Sequence, residues 1–284
     1  MLAKAGVRLS EPAALEAADG RLRIIDTAAE RRKRGMKGSF SIKLIDEIRR
    51  TLDQGGPVFL IRLWGDLGPI LEETRALFPG VEVLPLAEDA PSSGIRIATL
   101  AQTKRLAFAE GSLVALLQAD PIFGAQDFRA DERAYQLLNR YRTHCAAGTF
   151  VIQTSRSEHP VFQDLLAGLD PAPELLRERK EFAYPPYSRL IDIRLDDPNP
   201  KRLALMASAL ERRLQETLRP SVGLSGPVRL EGPFETGENE RTLRVLLAKD
   251  RRFPERKKAL KAAVDDFARE RKYAGFIHLD VDPE

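Results

Sequence analysis

Two adjacent prolines between tyrosines, Tyr184-Pro185-Pro186-Tyr187, constrain this chain more than any other stretch. Proline has no amide hydrogen to give a helix, and it pushes the residue before it toward extended backbone. The charged helical pattern ending in Glu178-Arg179-Lys180-Glu181 must therefore stop, and the alternating run that follows, Ser188-Arg189-Leu190-Ile191-Asp192-Ile193-Arg194-Leu195, must start afresh as a strand. The stretch reads as a joint between two folded units. A length of 284 residues also favours two domains over one.

Charge sharpens the division. Residues 177–284 hold 23 Lys and Arg against 19 Asp and Glu, whereas residues 1–176 hold 22 against 23, so the basic excess lies beyond the joint. Such an excess points to a polyanionic partner. No run reaches membrane-spanning length and no apolar signal segment opens the chain, so the expectation is a cytoplasmic protein without membrane contact. Cys145 is the only cysteine, which excludes an internal disulfide and a cysteine-built zinc site.

Before the joint, Glu11-Pro12-Ala13-Ala14-Leu15-Glu16 can open a short helix, Arg21 to Asp26 alternates like a strand, and the basic run Arg31-Arg32-Lys33-Arg34 ends in glycines. That run is either a solvated loop or a phosphate contact. Ser41 can cap a helix carrying Leu44, Ile45, Ile48 and Leu52 at helical spacing, closed by Gly55-Gly56. Strands are expected at 57–63, 81–86, 95–98, 113–117 and 149–153, and helices at 67–78, through Leu137 and Leu138 to about 141 after the segment 127–133, and after Pro160. This alternation predicts an α/β layer with a parallel sheet, whose ligands gather outside the strands' carboxyl ends, here at 120–133.

After the joint the order changes to strand 188–196, helix 199–218, strands 227–231 and 241–248, helix 254–271 and strand 275–281. Helical stripes of Leu203, Ala207, Leu210 and Leu214, and of Leu260, Ala263, Val264 and Phe267, can cover one sheet face; the other face, with Thr242 and Arg244, would meet solvent. A βαββαβ order is the split, ferredoxin-like α+β arrangement.

Most catalytic chemistry finds no residues to carry it. There is no Gly-x-x-x-x-Gly-Lys-Ser/Thr loop to cradle phosphates, and Gly94 to Thr99 is too short and lacks the lysine. His144, His159 and His278 fall in different elements, so no metal set forms. Cys145 lacks the glycine-rich turn of a nucleophile, and His144 beside it points elsewhere on a helix. Asp280 and Asp282 read as a solvated pair on a terminal strand. What remains is basic surface: Arg251, Arg252, Arg256, Lys257, Lys258 and Lys261 around the start of the last helix, with Arg241 and Arg244 on the strand before it. Such side chains can neutralise phosphates while Tyr184 and Tyr187 offer faces for bases.

Several stretches resemble, in order, the C-terminal half of the PriA family of bacterial replication-restart helicases. They are Leu77-Phe78-Pro79-Gly80; Asp127-Phe128-Arg129 with Glu132-Arg133; Val151-Ile152-Gln153-Thr154 followed by Glu158-His159-Pro160; Glu178-Arg179-Lys180 running into Tyr184-Pro185-Pro186-Tyr187-Ser188-Arg189; and the closing Leu279-Asp280-Val281-Asp282-Pro283. The resemblance implies a RecA-like second helicase lobe over residues 1–168, of which 1–40 would connect lobes, followed by an S10-like DNA-binding domain over 169–284, with Arg189 added to the DNA-contacting set. It implies forked or single-stranded DNA, the single-stranded-DNA-binding protein, and the replicative helicase or its loader as partners.

The departures from that family fall on its catalytic parts. The lobe that would carry the P-loop is not in this sequence, and the cysteine-rich zinc insert expected between Leu63 and Gly65 is missing. Ala98-Thr99-Leu100-Ala101-Gln102-Thr103-Lys104-Arg105 replaces the family's Gly-Thr-Gln-Met-x-x-Lys-Gly. Asn139-Arg140-Tyr141-Arg142-Thr143-His144-Cys145-Ala146 replaces its Gln-x-x-Gly-Arg-x-Gly-Arg, whose arginine reaches the γ-phosphate. An arginine finger works only from a fixed position. The expectation is a helicase-derived scaffold for DNA and replication partners, without ATPase activity and without cofactor. The alternative is the C-terminal portion of an active 3′–5′ helicase whose nucleotide lobe lies upstream; an RNA-binding relative of ribosomal S10 would account only for the second part.

Overall fold

The strands that read as uninterrupted apolar runs are buried on both faces, which decides the architecture of the first half of the chain. The computed structural model describes residues 15–86, 93–104, 106, 108–124, 128–145, 147–220, 226–271 and 277–283. The chain divides into two units, Met1–Ala172 and Pro173–Glu284. The helix expected at Glu11 to Glu16 falls largely outside the described residues, as do Arg105, Asp127 and Ala146.

The first unit runs β1 (Leu22–Asp26), α1 (Thr27–Arg32), β2 (Met36–Lys37), β3 (Phe40–Ser41), α2 (Ile42–Asp53), β4 (Val58–Arg62), α3 (Gly68–Leu77), β5 (Val83–Pro85), β6 (Ile95–Thr99), α4 (Leu100–Thr103), β7 (Leu113–Leu116), a 3-10 turn (Asp120–Phe123), α5 (Ala130–His144), β8 (Thr149–Thr154) and α6 (Pro160–Ala167). Among the described residues, six strands form one parallel sheet in the order β1-β8-β7-β4-β6-β5. Alternate side chains feed two cores. Ile24, Ile61, Val114, Phe150 and Ile152 pack with Leu138 of α5 and Phe162 and Leu165 of α6. Ile25, Leu60, Ala115, Val151 and Ile97 pack with Leu44, Ile45 and Ile48 of α2 and Ile70 of α3. Helices on both faces are what a parallel sheet requires, and this is the RecA-like α/β lobe the sequence implies.

Within residues 1–40, where the resemblance implies a lobe-connecting segment, the described residues from Leu22 onward supply the edge strand β1 and α1, followed by the β2–β3 hairpin that ends at Ser41. Half of the basic run is therefore helical: Arg31 and Arg32 close α1, where cations complement the helix dipole, and Arg34 turns the chain with φ 57°. Six residues give too short a period to be read from sequence; the Asp26 carboxylate, accepting the Ala29 amide at 2.8 Å, starts this helix. Ser41 caps α2 as expected, its Oγ accepting Leu44 N at 3.0 Å.

The second unit comprises α7 (Ala172–Glu181), β9 (Ser188–Asp196), α8 (Pro200–Leu218), β10 (Val228–Gly237), β11 (Glu240–Ala248), α9 (Phe253–Arg271) and β12 (Ile277–Val281). The strands pair antiparallel in the order β10-β11-β9-β12. Counted within the unit this is 2-3-1-4, the split βαβ order of the expected ferredoxin-like α+β fold. Ile191, Ile193, Leu195, Leu243, Val245 and Leu247 form its core with Leu203, Leu210 and Leu214 of α8 and Leu260, Val264 and Phe267 of α9. β10 runs six residues beyond its expected end, through a register shift at Glu231–Phe234 where Gly232 adopts φ +100°. Among the described residues no helix is long and apolar enough to cross a membrane.

Candidate nucleic-acid interface

In the second unit the sheet face turned away from α8 and α9 carries the alternate residues, and it is charged but balanced. Arg244 of β11 grips Asp192 of β9 with two bonds of 2.8 and 2.9 Å. Arg194 bonds Asp280 at 2.6 Å, and His278 lies 3.5 Å from Asp196. Off that face, Arg241, in register with core Leu195, pairs with Glu235 at 2.6 Å. Arg189 binds Asp282, which also accepts the Leu190 amide at 3.2 Å. Asp280 and Asp282 are thus not a solvated pair: each is clamped to an arginine of β9, tying the edge strand and its end to the sheet. Thr242 is buried rather than solvent-facing.

Tyr184-Pro185-Pro186-Tyr187, expected to join two units, lies within the second unit between α7 and β9, because the division falls at the start of α7, and it has its own anchor. Arg229 of β10, buried on the face away from the helices, donates to the Phe182 carbonyl at 2.9 Å, and its guanidinium lies 4.6 Å from the centre of the Tyr184 ring. One face of Tyr184 is thereby occupied. Tyr187 stays exposed while its carbonyl accepts Lys249 N at 3.0 Å; Pro185 is half-buried and Pro186 exposed.

Around the start of α9 the basic residues separate into two groups. Arg252 pairs with Glu255 at 3.4 Å, Lys261 pairs with Asp265, and Arg256 holds Asp250 through two bonds of 2.9 Å. The Arg256 guanidinium pulls the Asp250 carboxyl below its ordinary range. Arg251, Lys257 and Lys258 are exposed and have no carboxylate partner among the described residues.

In the first unit Arg31, Arg32, Lys33 and Arg34 are likewise exposed, without a carboxylate partner among the described residues. Arg32 shares a cleft of about 380 Å³ with Ser155, Arg156, Ser157 and His159, at the carboxyl ends of β1 and β8. The sequence reading missed Arg156, which stands in the first loop past a parallel strand and could have been flagged by that position. Beside it Asp120 gathers the Thr154 hydroxyl, the Ser155 amide at 2.9 Å and the Ser155 hydroxyl at 2.6 Å, fixing the β8 loop. Among the resemblance residues, Arg129 lies 5.0 Å from the Phe128 ring centre, and Glu132 and Arg133 occupy the first turn of α5.

The remaining nucleophile and ligand candidates have structural uses. Cys145 is buried, and burial pushes its thiol up to about 12. His144 contacts the Leu106 carbonyl at 3.1 Å; His159 stacks on Phe123 at 4.1 Å and lies 3.7 Å from Asp131. Among the described residues no group of three or more His, Cys, Asp or Glu could hold a metal ion. Arg140 and Arg142, in the stretch that replaces the family's Gly-Arg turn, both sit on α5. Arg140 donates to the Lys104 carbonyl, and Arg142 to the Leu165 carbonyl at 2.6 Å.

Residues 180–284 match the family described as the Primosomal protein N C-terminal domain. Over 185 residues the chain is 29% identical to a protein of Deinococcus radiodurans named probable replication restart protein PriA, covering 58% of this chain and 20% of that one. It is 28% identical over 139 residues to the replication restart protein PriA of Synechocystis, covering 46% and 16%, and 25% identical over 244 residues to that of Rickettsia felis, covering 76% and 35%. The chain thus spans 35% or less of the length of these relatives. A parallel α/β unit followed by a split βαβ unit that carries the family match makes this chain similar to the C-terminal part of the PriA replication restart proteins.

Proposed function

We propose that the chain is a replication-restart protein that binds branched or single-stranded DNA through exposed cations on both of its units, and that it hydrolyses no nucleotide by itself. The observation that carries this reading is the sorting of the charges. Arg189, Arg241, Arg244, Arg252 and Lys261 are neutralised by protein carboxylates, whereas Arg31, Arg32, Lys33, Arg34, Arg251, Lys257 and Lys258 face solvent without one among the described residues. A cation with no internal partner keeps its full charge for phosphate and releases counterions when it binds. Tyr187 offers an exposed ring beside the joint, while Tyr184 has one face on Arg229.

The non-catalytic part of the reading is supported by Arg140 and Arg142. Both guanidiniums are engaged by backbone carbonyls, of Lys104 at the end of α4 and of Leu165 on α6, so neither is held ready for a γ-phosphate as an arginine finger must be. The same reading assigns the protein no nucleotide or metal cofactor. It gives it the single-stranded-DNA-binding protein and the replicative helicase or its loader as partners, in the bacterial cytoplasm. A second reading, in which these residues form the C-terminal portion of an ATP-driven 3′–5′ helicase, is supported by the fraction of its relatives that the chain spans.

The test is a fork-DNA titration over a salt series, run with a DNA-stimulated ATPase assay. Binding should weaken linearly in log salt, and Lys257→Gln with Lys258→Gln should lower the slope by about two units. Failure to bind forks at low salt would end the DNA-binding reading. Unwinding or ATP hydrolysis by the chain alone would end the non-catalytic one.

A further inference from the structure

The order β1-β8-β7-β4-β6-β5 contains one place where successive connections part company. The chain leaving β4 goes through α3, on one face of the sheet, toward β5 and β6. The chain leaving β7 goes through α5, on the other face, to β8. Loops that diverge in this way leave a crevice outside the carboxyl ends of the two strands, and ligands of open α/β sheets sit in that crevice.

Trp64, the only tryptophan of the chain, stands at that point on the turn after β4 and is 62% exposed. The turn that displays it is closed by its own bonds. Arg62 donates to the Asp66 carbonyl at 2.6 Å, the Asp66 carboxylate accepts Gly68 N at 3.0 Å, and Gly65 takes φ +98°. On the neighbouring strand, the loop after β7 is held by Leu117 N on the Ile61 carbonyl at 3.0 Å and by Ala119 N on the Gln153 carbonyl at 3.0 Å. Between those two anchors Gln118 is exposed. A large indole held open on a braced turn loses little conformational freedom when it meets a flat ligand.

The charges on the same edge say which flat ligand. Two to three strand spacings along the carboxyl edge, about 10–15 Å, lies the cleft with Arg32 and Arg156, neither of which has a carboxylate partner among the described residues. Asp26 and Glu158 also line this cleft; the Asp26 carboxylate is already engaged by the Ala29 amide and the Ser157 hydroxyl at 3.1 Å. We infer that Trp64 is a base-stacking residue for single-stranded DNA, whose backbone phosphates are taken by Arg32 and Arg156 on the same edge of the sheet. This rests on the DNA-binding reading above and adds to it a site on the first unit. The indole stacks on any base, so the site is tolerant of sequence.

Because Trp64 is the sole tryptophan, its emission reads the site directly. The whole chain is titrated with a fluorescein-labelled oligodeoxythymidylate of about 16 nucleotides, and anisotropy and tryptophan emission are followed together. The expected result is quenching that saturates with the anisotropy. Trp64→Ala should weaken binding by about 5- to 150-fold with unchanged thermal unfolding, while Trp64→Phe keeps most of the affinity and Arg32→Gln with Arg156→Gln lowers the salt slope. If anisotropy rises while emission stays constant and Trp64→Ala binds like the parent, the stacking site is refuted and the DNA-binding reading stands. If anisotropy never rises at low salt, both are refuted.

Discussion

Gln153 is the polar side chain on which the first unit most depends, and its replacement gives a sharp prediction. It lies on β8, 1% exposed, between the sheet and the hairpin that leads into α2. Its Oε1 accepts Ser41 N at 2.8 Å, and its Nε2 donates to the Ser39 carbonyl at 2.9 Å and the Leu117 carbonyl at 3.1 Å. Gln153→Met keeps length and volume but removes all of these bonds. At about 1 kcal/mol for each of the two bonds donated by Nε2, plus about 1–3 kcal/mol for the buried Ser41 amide left without its acceptor, the loss is about 3–5 kcal/mol. Pulsed thiol labelling of Cys145 over a urea series reads this unit selectively, because that buried, protonated thiol becomes reactive only on opening. With a urea slope of about 2 kcal/mol/M, the labelling midpoint should fall by about 1.5 M or more. Gln153→Glu should do no better, since a carboxylate would face two carbonyl oxygens. A midpoint shift below about 0.3 M for Gln153→Met, about a fifth of that expected from the bond energies, would refute the assigned role.

Two further predictions concern the second unit. Leu210 is fully buried between α8 and the sheet, whereas Leu205 on the same helix is 73% exposed. Leu210→Ala should cost about 2–5 kcal/mol in urea denaturation and Leu205→Ser less than about 0.5 kcal/mol, and equal effects would contradict the helix's orientation. The buried Asp197 carboxylate is held below its ordinary range chiefly by its bond from Arg202, with a further bond from Asn199 N at 2.8 Å. Its contribution is therefore fully present above the unfolded value of about 3.9 and is lost as pH falls toward the lower folded value. The stability difference between the parent and Asp197→Asn should be flat at neutral pH and shrink below about pH 4. A difference that grows on acidification would reverse the assignment.

Local order was legible where a periodic pattern met a side chain able to start or stop it. Ser41 with Leu44, Ile45 and Ile48 announces α2, and the stripes of α8 and α9 announce helices because burial of one face sets their spacing. α1 and the β2–β3 hairpin were not legible: six- and two-residue elements carry no period, and they form because Asp26 caps one while Gln153, far along the chain, holds the other.

The interface was harder to read than the fold. Arg244 and Arg241 looked like solvent-facing cations on an alternating strand, yet Asp192 and Glu235 neutralise them. Arg189 is balanced by Asp282, 93 positions away. A run of basic letters reports charge, but only the fold brings the opposing carboxylate within bonding distance. By itself the amino-acid order determined that two units would form, an α/β layer and a βαββαβ sandwich, since hydrophobic spacing acts over a few residues; the paired prolines follow α7 within the second unit and do not mark the division. Which cations stay available, and that Trp64 stands where the β4 and β7 connections diverge, were decided by the lateral order of the strands, which sets the neighbours of each loop and is encoded in no local stretch.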